Sequence, residues 1–173
     1  SAASDVYKRQ TLYIAHEEIR RDLNLLAEYV KLNNIAVATI PPALLNSECL
    51  VPLQVLVLAG ENANPEVYDS YTAKTQVHLI NAYGPSEATV CATLNHYAEN
   101  GYNNIGKPLN NYQIFILEQS MQPVANGVFG ELYISGPGLA RGYWNQQDLT
   151  ASNFIVNPYF VSGQDPTDQR LYK

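Results

Sequence analysis

A chain of 173 residues can bury a sizeable core, and its 46% hydrophobic content with thirteen tyrosines excludes a disordered or linker segment. A net charge of −6, with its ten Lys and Arg scattered, leaves no basic face to release counterions, so nucleic acid is excluded as a partner. No apolar run nears the roughly 18 residues of a membrane span, no secretory stretch opens the sequence, and two distant cysteines, Cys49 and Cys91, make neither a zinc site nor a disulfide framework; a cytoplasmic, reducing setting is expected.

Ser1 to Gln10 share no periodicity with the residues after them and read as a non-native leader. From His16 to Lys31, Ile19, Leu23, Leu26 and Val30 fall at helical spacing, with Glu17 and Glu18 early and Lys31 late, which predicts one amphipathic helix. Ile35 to Ile40 predicts a strand stopped by Pro41-Pro42, with a helical turn over Ala43 to Asn46. The continuous apolar run Val55 to Ala59 predicts a strand buried on both faces. Asn64-Pro65-Glu66 is a helix start, with Asn as the N-cap and Pro at the first helical position, and the helix runs to about Lys74. Val77 to Ala82 is strand again, so this half predicts parallel pairing through crossover helices. After Glu87, strands over Thr89 to His96, Tyr112 to Leu117 and Val128 to Ser135, separated by Gly-, Asn- and Pro-rich turns, predict a largely antiparallel portion. There Glu131, Tyr133 and Ser135 alternate with Leu132 and Ile134, as in a sheet with one wet face. The fold class expected is α/β, a parallel or mixed sheet with crossover helices followed by antiparallel β structure.

The run Asn81-Ala82-Tyr83-Gly84-Pro85-Ser86-Glu87 sits at the end of a predicted buried strand. Its residue types suit a nucleotide: an aromatic face stacks on a base, an amide meets a base edge, Gly admits close backbone approach, a hydroxyl donates to phosphate and a carboxylate holds hydrated Mg²⁺. On chemistry alone the plainer reading, a Gly-Pro turn followed by a helix cap, is the commoner one. His16, His78 and His96 lack metal-ligand spacing, and Cys91 reads as a small buried hydrophobe.

A second run, Gly130-Glu131-Leu132-Tyr133-Ile134-Ser135-Gly136-Pro137-Gly138-Leu139-Ala140-Arg141-Gly142-Tyr143-Trp144, comes later in the chain. Together the two runs resemble consecutive core motifs of the amino-acid adenylation domains of nonribosomal peptide synthetases, members of the adenylate-forming superfamily. Residues 11–173 then read as a partial adenylation domain truncated at both ends, with Arg170-Leu171-Tyr172-Lys173 resembling the start of the next motif.

The resemblance implies ATP and Mg²⁺ as cofactors. It implies that Tyr83 stacks on adenine, Asn81 contacts its exocyclic amine, Ser86 meets the α-phosphate in place of the commoner Thr, and Glu87 binds the metal, with Gly60 and Glu61 bordering the nucleotide. It implies a substrate pocket of Thr39, Val57, Ala59, Ala82, Val90 and Cys91, with the carbonyls of Gly84 and Val90 accepting from the amino-acid ammonium. Such small, mostly apolar walls suit a large uncharged side chain: phenylalanine first, tyrosine second, a bulky aliphatic third. The implied partners are a phosphopantetheine-bearing peptidyl carrier domain and a condensation domain. The second run is implied to be architectural, with no catalytic residue and with Arg141 facing water or a neighbouring lobe. A stand-alone acyl- or aryl-CoA ligase, or a degenerate non-catalytic module, is the alternative.

Overall fold

A computed structural model describes residues 11–62, 64–163 and 165–173, so the leader expected over Ser1 to Gln10 lies outside the described residues. The chain divides into two compact units, the first ending at Ile80 and the second running from Asn81 to Lys173, and the division falls inside one strand.

In the first unit the single helix expected over His16 to Lys31 is two, α1 (Glu17–Arg21) and α2 (Leu23–Leu32). The break is Asp22, which takes extended backbone angles while its carboxylate accepts the N–H groups of Asn24 at 2.8 Å and Leu25 at 3.2 Å. A side chain that caps the next helix competes with continuing the previous one. Leu23 and Val30 carry the buried stripe of α2. Strands β1 (Val37–Ile40) and β2 (Val55–Ala59) pair in parallel, with Thr39 opposite Val57. A short 3₁₀ turn, Pro42–Leu44, follows β1.

Strand β2 differs from expectation: Leu56 and Leu58 are fully buried, whereas Val55, Val57 and Ala59 are only half-buried. Five apolar residues in a row carry no alternation, so the sequence could not separate a covered face from an open one. Helix α3 (Pro65–Lys74) begins as read, with the Asn64 side chain accepting the Glu66 N–H at 3.0 Å. Strand β3 (His78–Tyr83) starts in this unit, where the His78 N–H donates to the Gln54 carbonyl at 2.7 Å.

The second unit takes β3 onward through a 3₁₀ turn, Ser86–Ala88, to β4 (Thr93–His96), which pairs antiparallel with β5 (Lys107–Pro108); α4 (Tyr97–Asn100) lies between them. The strand expected from Thr89 is shorter because Thr89 and Val90 have φ of 58° and 71°. Four further strands, β6 (Gln113–Leu117), β7 (Glu131–Ser135), β8 (Phe154–Val156) and β9 (Arg170–Tyr172), form an antiparallel sheet in the order β6-β7-β9-β8, with α5 (Gln147–Asn153) preceding β8.

Val128 and Phe129, expected in β7, lie in an exposed turn before it. The wet face expected of β7 is dry at its end: Tyr133 and Ser135 are buried, and the Ser135 hydroxyl donates to the Arg170 carbonyl at 2.8 Å. Leu117, Tyr133 and Leu171 form one core cluster; Ala88, Ala92 and Ile134 form another, into which Tyr112 and Leu139 pack. That second cluster anchors the loop after β3 to β7 and to the turn beyond it. Among the described residues no helix is long and apolar enough to cross a membrane.

Candidate functional site

Within the first unit, Thr39, Val57 and Ala59 share the open face of the β1–β2 pair: Thr39 is exposed and lies opposite Val57, and Ala59 follows two residues on. Their apolar or hydroxyl side chains are therefore accessible from the same side, as pleat alternation requires. Gly60 has φ of +100° with open space where a Cβ would stand, so the chain turns sharply at the end of β2. Glu61 has a local task, accepting the Ala43 N–H at 3.0 Å at the start of the 3₁₀ turn.

Within the second unit, alternation along β3 puts Asn81 and Tyr83 on one face and Ala82 on the other. Asn81 is buried, and its Nδ2 donates to the Asn104 carbonyl at 3.0 Å, which orients the amide and makes Oδ1 its acceptor. Tyr83 is 38% exposed, so its ring is open to a ligand, whereas Ala82 at 3% is the least accessible of the positions assigned to substrate. Gly84 abuts the other end of the loop: a Cβ there would lie 2.8 Å from the Val90 carbonyl oxygen and 2.7 Å from the Ala92 nitrogen. That close approach brings Gly84 and the Val90 carbonyl side by side. Ser86 is exposed at the start of its 3₁₀ turn. The Cys91 thiol is pushed up by burial, which favours its protonated form.

Glu87 is the most elaborated position. The Tyr143 hydroxyl donates to its Oε1 at 2.6 Å, and its own carbonyl accepts the Ala140 N–H at 2.7 Å. Hydroxyl donation by Tyr143, its own backbone N–H and, less strongly, Tyr172 hold the carboxyl below the usual range, while the carboxylate raises the Tyr143 phenol in turn. The turn after β7 is tied to the same loop by the Thr89 hydroxyl, which donates to the Gly138 carbonyl at 2.6 Å. Tyr112 adds a further tie, its hydroxyl donating to the Ala88 carbonyl at 2.9 Å.

The second motif, expected to be architectural, also reaches the candidate loop: Tyr143 touches Glu87 directly. The only signal in the sequence was that the motif exists, because spacing along the chain does not show which hydroxyl reaches which carboxylate. Among the described residues there is no group of three His, Cys, Asp or Glu side chains that could hold a metal alone. A lone carboxylate fits Mg²⁺ that arrives with phosphate ligands and keeps several waters.

A family model described as "AMP-binding enzyme" matches residues 6–144. Tyrocidine synthase 2 of Brevibacillus parabrevis is 40% identical over 161 residues, covering 88% of this chain and 4% of the relative. Among solved structures, the N-terminal subdomain of Klebsiella oxytoca NpsA superposes with a TM-score of 0.73 at 26% identity, covering 87% of this chain and 39% of that one. Holo-AB3403, a four-domain nonribosomal peptide synthetase bound to AMP and glycine, superposes with a TM-score of 0.79 at 31% identity, covering 94% of this chain and 12% of that one. The chain thus spans a small part of the relatives it matches.

Proposed function

The chain belongs to the AMP-binding enzyme family, matching adenylation domains of nonribosomal peptide synthetases, and we propose that the protein carrying it activates an amino acid as its adenylate. In this reading a substrate carboxylate oxygen attacks the α-phosphorus of ATP, the bond to the bridging oxygen breaks, and pyrophosphate leaves. The aminoacyl group then passes from AMP to the phosphopantetheine thiol of a peptidyl carrier domain, with a condensation domain as the next partner. The setting is cytoplasmic.

The residue roles in this reading are those the resemblance implies, and the geometry of the loop after β3 supports them. The exposed Tyr83 ring stacks on adenine, and Asn81, oriented by Asn104, offers Oδ1 to the exocyclic amine. Ser86 donates to the α-phosphate. Glu87 would hold Mg²⁺, which when bound would neutralise charge on the phosphates. The carbonyls of Gly84 and Val90, on backbone segments that approach closely, accept from the ammonium. Catalysis of this kind is positioning and charge stabilisation. The observation that carries the reading is Glu87: a half-exposed carboxylate, held ionised by hydroxyl donors, on the loop that also exposes Tyr83 and Ser86.

The substrate side chain follows from wall chemistry. In each unit the assigned positions are uncharged: Thr39, Val57 and Ala59 in one, Ala82, Val90 and Cys91 in the other. None offers an ion-pair partner, so a charged side chain is penalised by desolvation, and phenylalanine is the first choice with tyrosine second. Amino-acid-dependent ATP–pyrophosphate exchange by the full protein tests both levels. Exchange is expected with phenylalanine and to fall on the order of a hundredfold in Glu87→Gln. Exchange with an aryl acid and no amino acid would transfer the site to carboxylic-acid activation, and undiminished exchange in Glu87→Gln would remove the metal role.

A further inference from the structure

We propose that Tyr143 is the positioning residue for Glu87, fixing the side-chain rotamer of the carboxylate that receives the nucleotide's magnesium. The proposal rests on the reading of Glu87 as that metal's ligand. A glutamate has several freely rotating side-chain bonds, and a ligand that must be ordered at the moment of binding loses affinity to entropy. Here the ordering is already done at both ends of the residue. Ala140 donates to the Glu87 carbonyl at 2.7 Å, and Tyr143 donates to Oε1 at 2.6 Å, so one short turn grips backbone and side chain together.

The grip is itself held. The Tyr143 N–H donates to the Thr150 hydroxyl at 2.9 Å, and its ring meets Phe154 edge-on at 5.7 Å. Gly142, at φ of +145°, lets the turn lie against Thr150: a Cβ there would come within 2.4 Å of the Thr150 methyl. Arg170 closes the far side, with guanidinium N–H groups on the carbonyls of Ala140 at 3.0 Å and Arg141 at 3.2 Å and its charge 5.6 Å over the Phe154 ring. A tyrosine kept only for packing needs none of this aim at a half-exposed carboxylate. The arrangement is that of an outer-shell donor that orients a metal ligand.

The test is Tyr143→Phe in the full protein, which removes one oxygen. Two quantities are read: the Mg²⁺ concentration giving half-maximal exchange, and Mn²⁺ binding in the presence of ATP, followed by electron paramagnetic resonance without turnover. Both are expected to weaken about ten- to a hundredfold, with added metal recovering the rate, and the effect is expected to vanish in a Glu87→Gln background. Unchanged metal dependence in Tyr143→Phe, where Glu87→Gln does shift it, overturns the proposal and leaves Glu87 as the ligand. No shift in either variant overturns the metal reading of Glu87 itself. Should Tyr143→Phe fail to fold, 3-fluorotyrosine at position 143 keeps the hydroxyl. Its fluorine resonance is expected to move when Mg²⁺ and ATP are added and to stay fixed in Glu87→Gln; no movement in the otherwise unaltered protein overturns the proposal.

Discussion

Glu87 and Cys91 share one loop and are tuned in opposite directions by different physics. Hydroxyl donors favour the charged form of the acid, whereas burial disfavours the charged form of the thiol. For Cys91 the sign is clear: a raised value means that at pH 8 the side chain carries its proton, the form that does not attack an alkylating agent. Labelling by iodoacetamide, followed on the peptide by mass spectrometry, is expected to reach half its maximal rate above the ordinary thiol value of about 8.5. A midpoint at or below that value would show the thiol to be solvated. Protection by phenylalanine with ATP would add support for a substrate wall. At this scale the sequence displayed Asn81, Tyr83, Ser86 and Glu87 by type and order. It could not display the Asn104 carbonyl that orients Asn81 or the Tyr143 hydroxyl that orients Glu87, because both are contacts between segments distant along the chain.

Elements with local signals were legible and those made by distant pairing were not. Helix α3 has its Asn cap and Pro start in sequence, and β2 has its bounding apolar run. Strands β5, β8 and β9 are two or three residues long and exist through the strands beside them, and α5 has no buried residue to set a period. Thr89 and Val90 are β-branched and read as strand, yet both are left-handed, a conformation costing about 1–3 kcal/mol for such residues. The Thr89 hydroxyl bond to Gly138 offsets part of that cost and ties down the loop that carries the candidate site. Asp22 shows the same competition in a helix, where a capping side chain outweighs continuous helical spacing. Asp22→Ala is expected to lose about 1 kcal/mol of capping, so the amides of Asn24 and Leu25 should exchange hydrogen roughly fivefold faster. Unchanged protection there would mean that the break has another cause.

For the whole molecule, the numbers that matter are 16 acidic against 10 basic residues and the one open face of the β1–β2 pair. A chain of net charge −6 gains nothing from long-range attraction toward a triphosphate, so under the proposed function ATP is held by Mg²⁺ and directed contacts. What the described residues supply is one ionised carboxylate, one exposed hydroxyl and one exposed ring on a single loop. On the open face, Val37 is 55% exposed and Val55, Val57 and Ala59 are half-buried, an apolar strip that water does not favour. A polypeptide of residues 11–173 is therefore expected to bind an apolar fluorescent dye and to give no amino-acid-dependent pyrophosphate exchange under conditions in which the full protein gives it. Exchange by the short polypeptide at the full protein's rate would show that one carboxylate, one hydroxyl and one ring suffice to stabilise the charge developing on the α-phosphate.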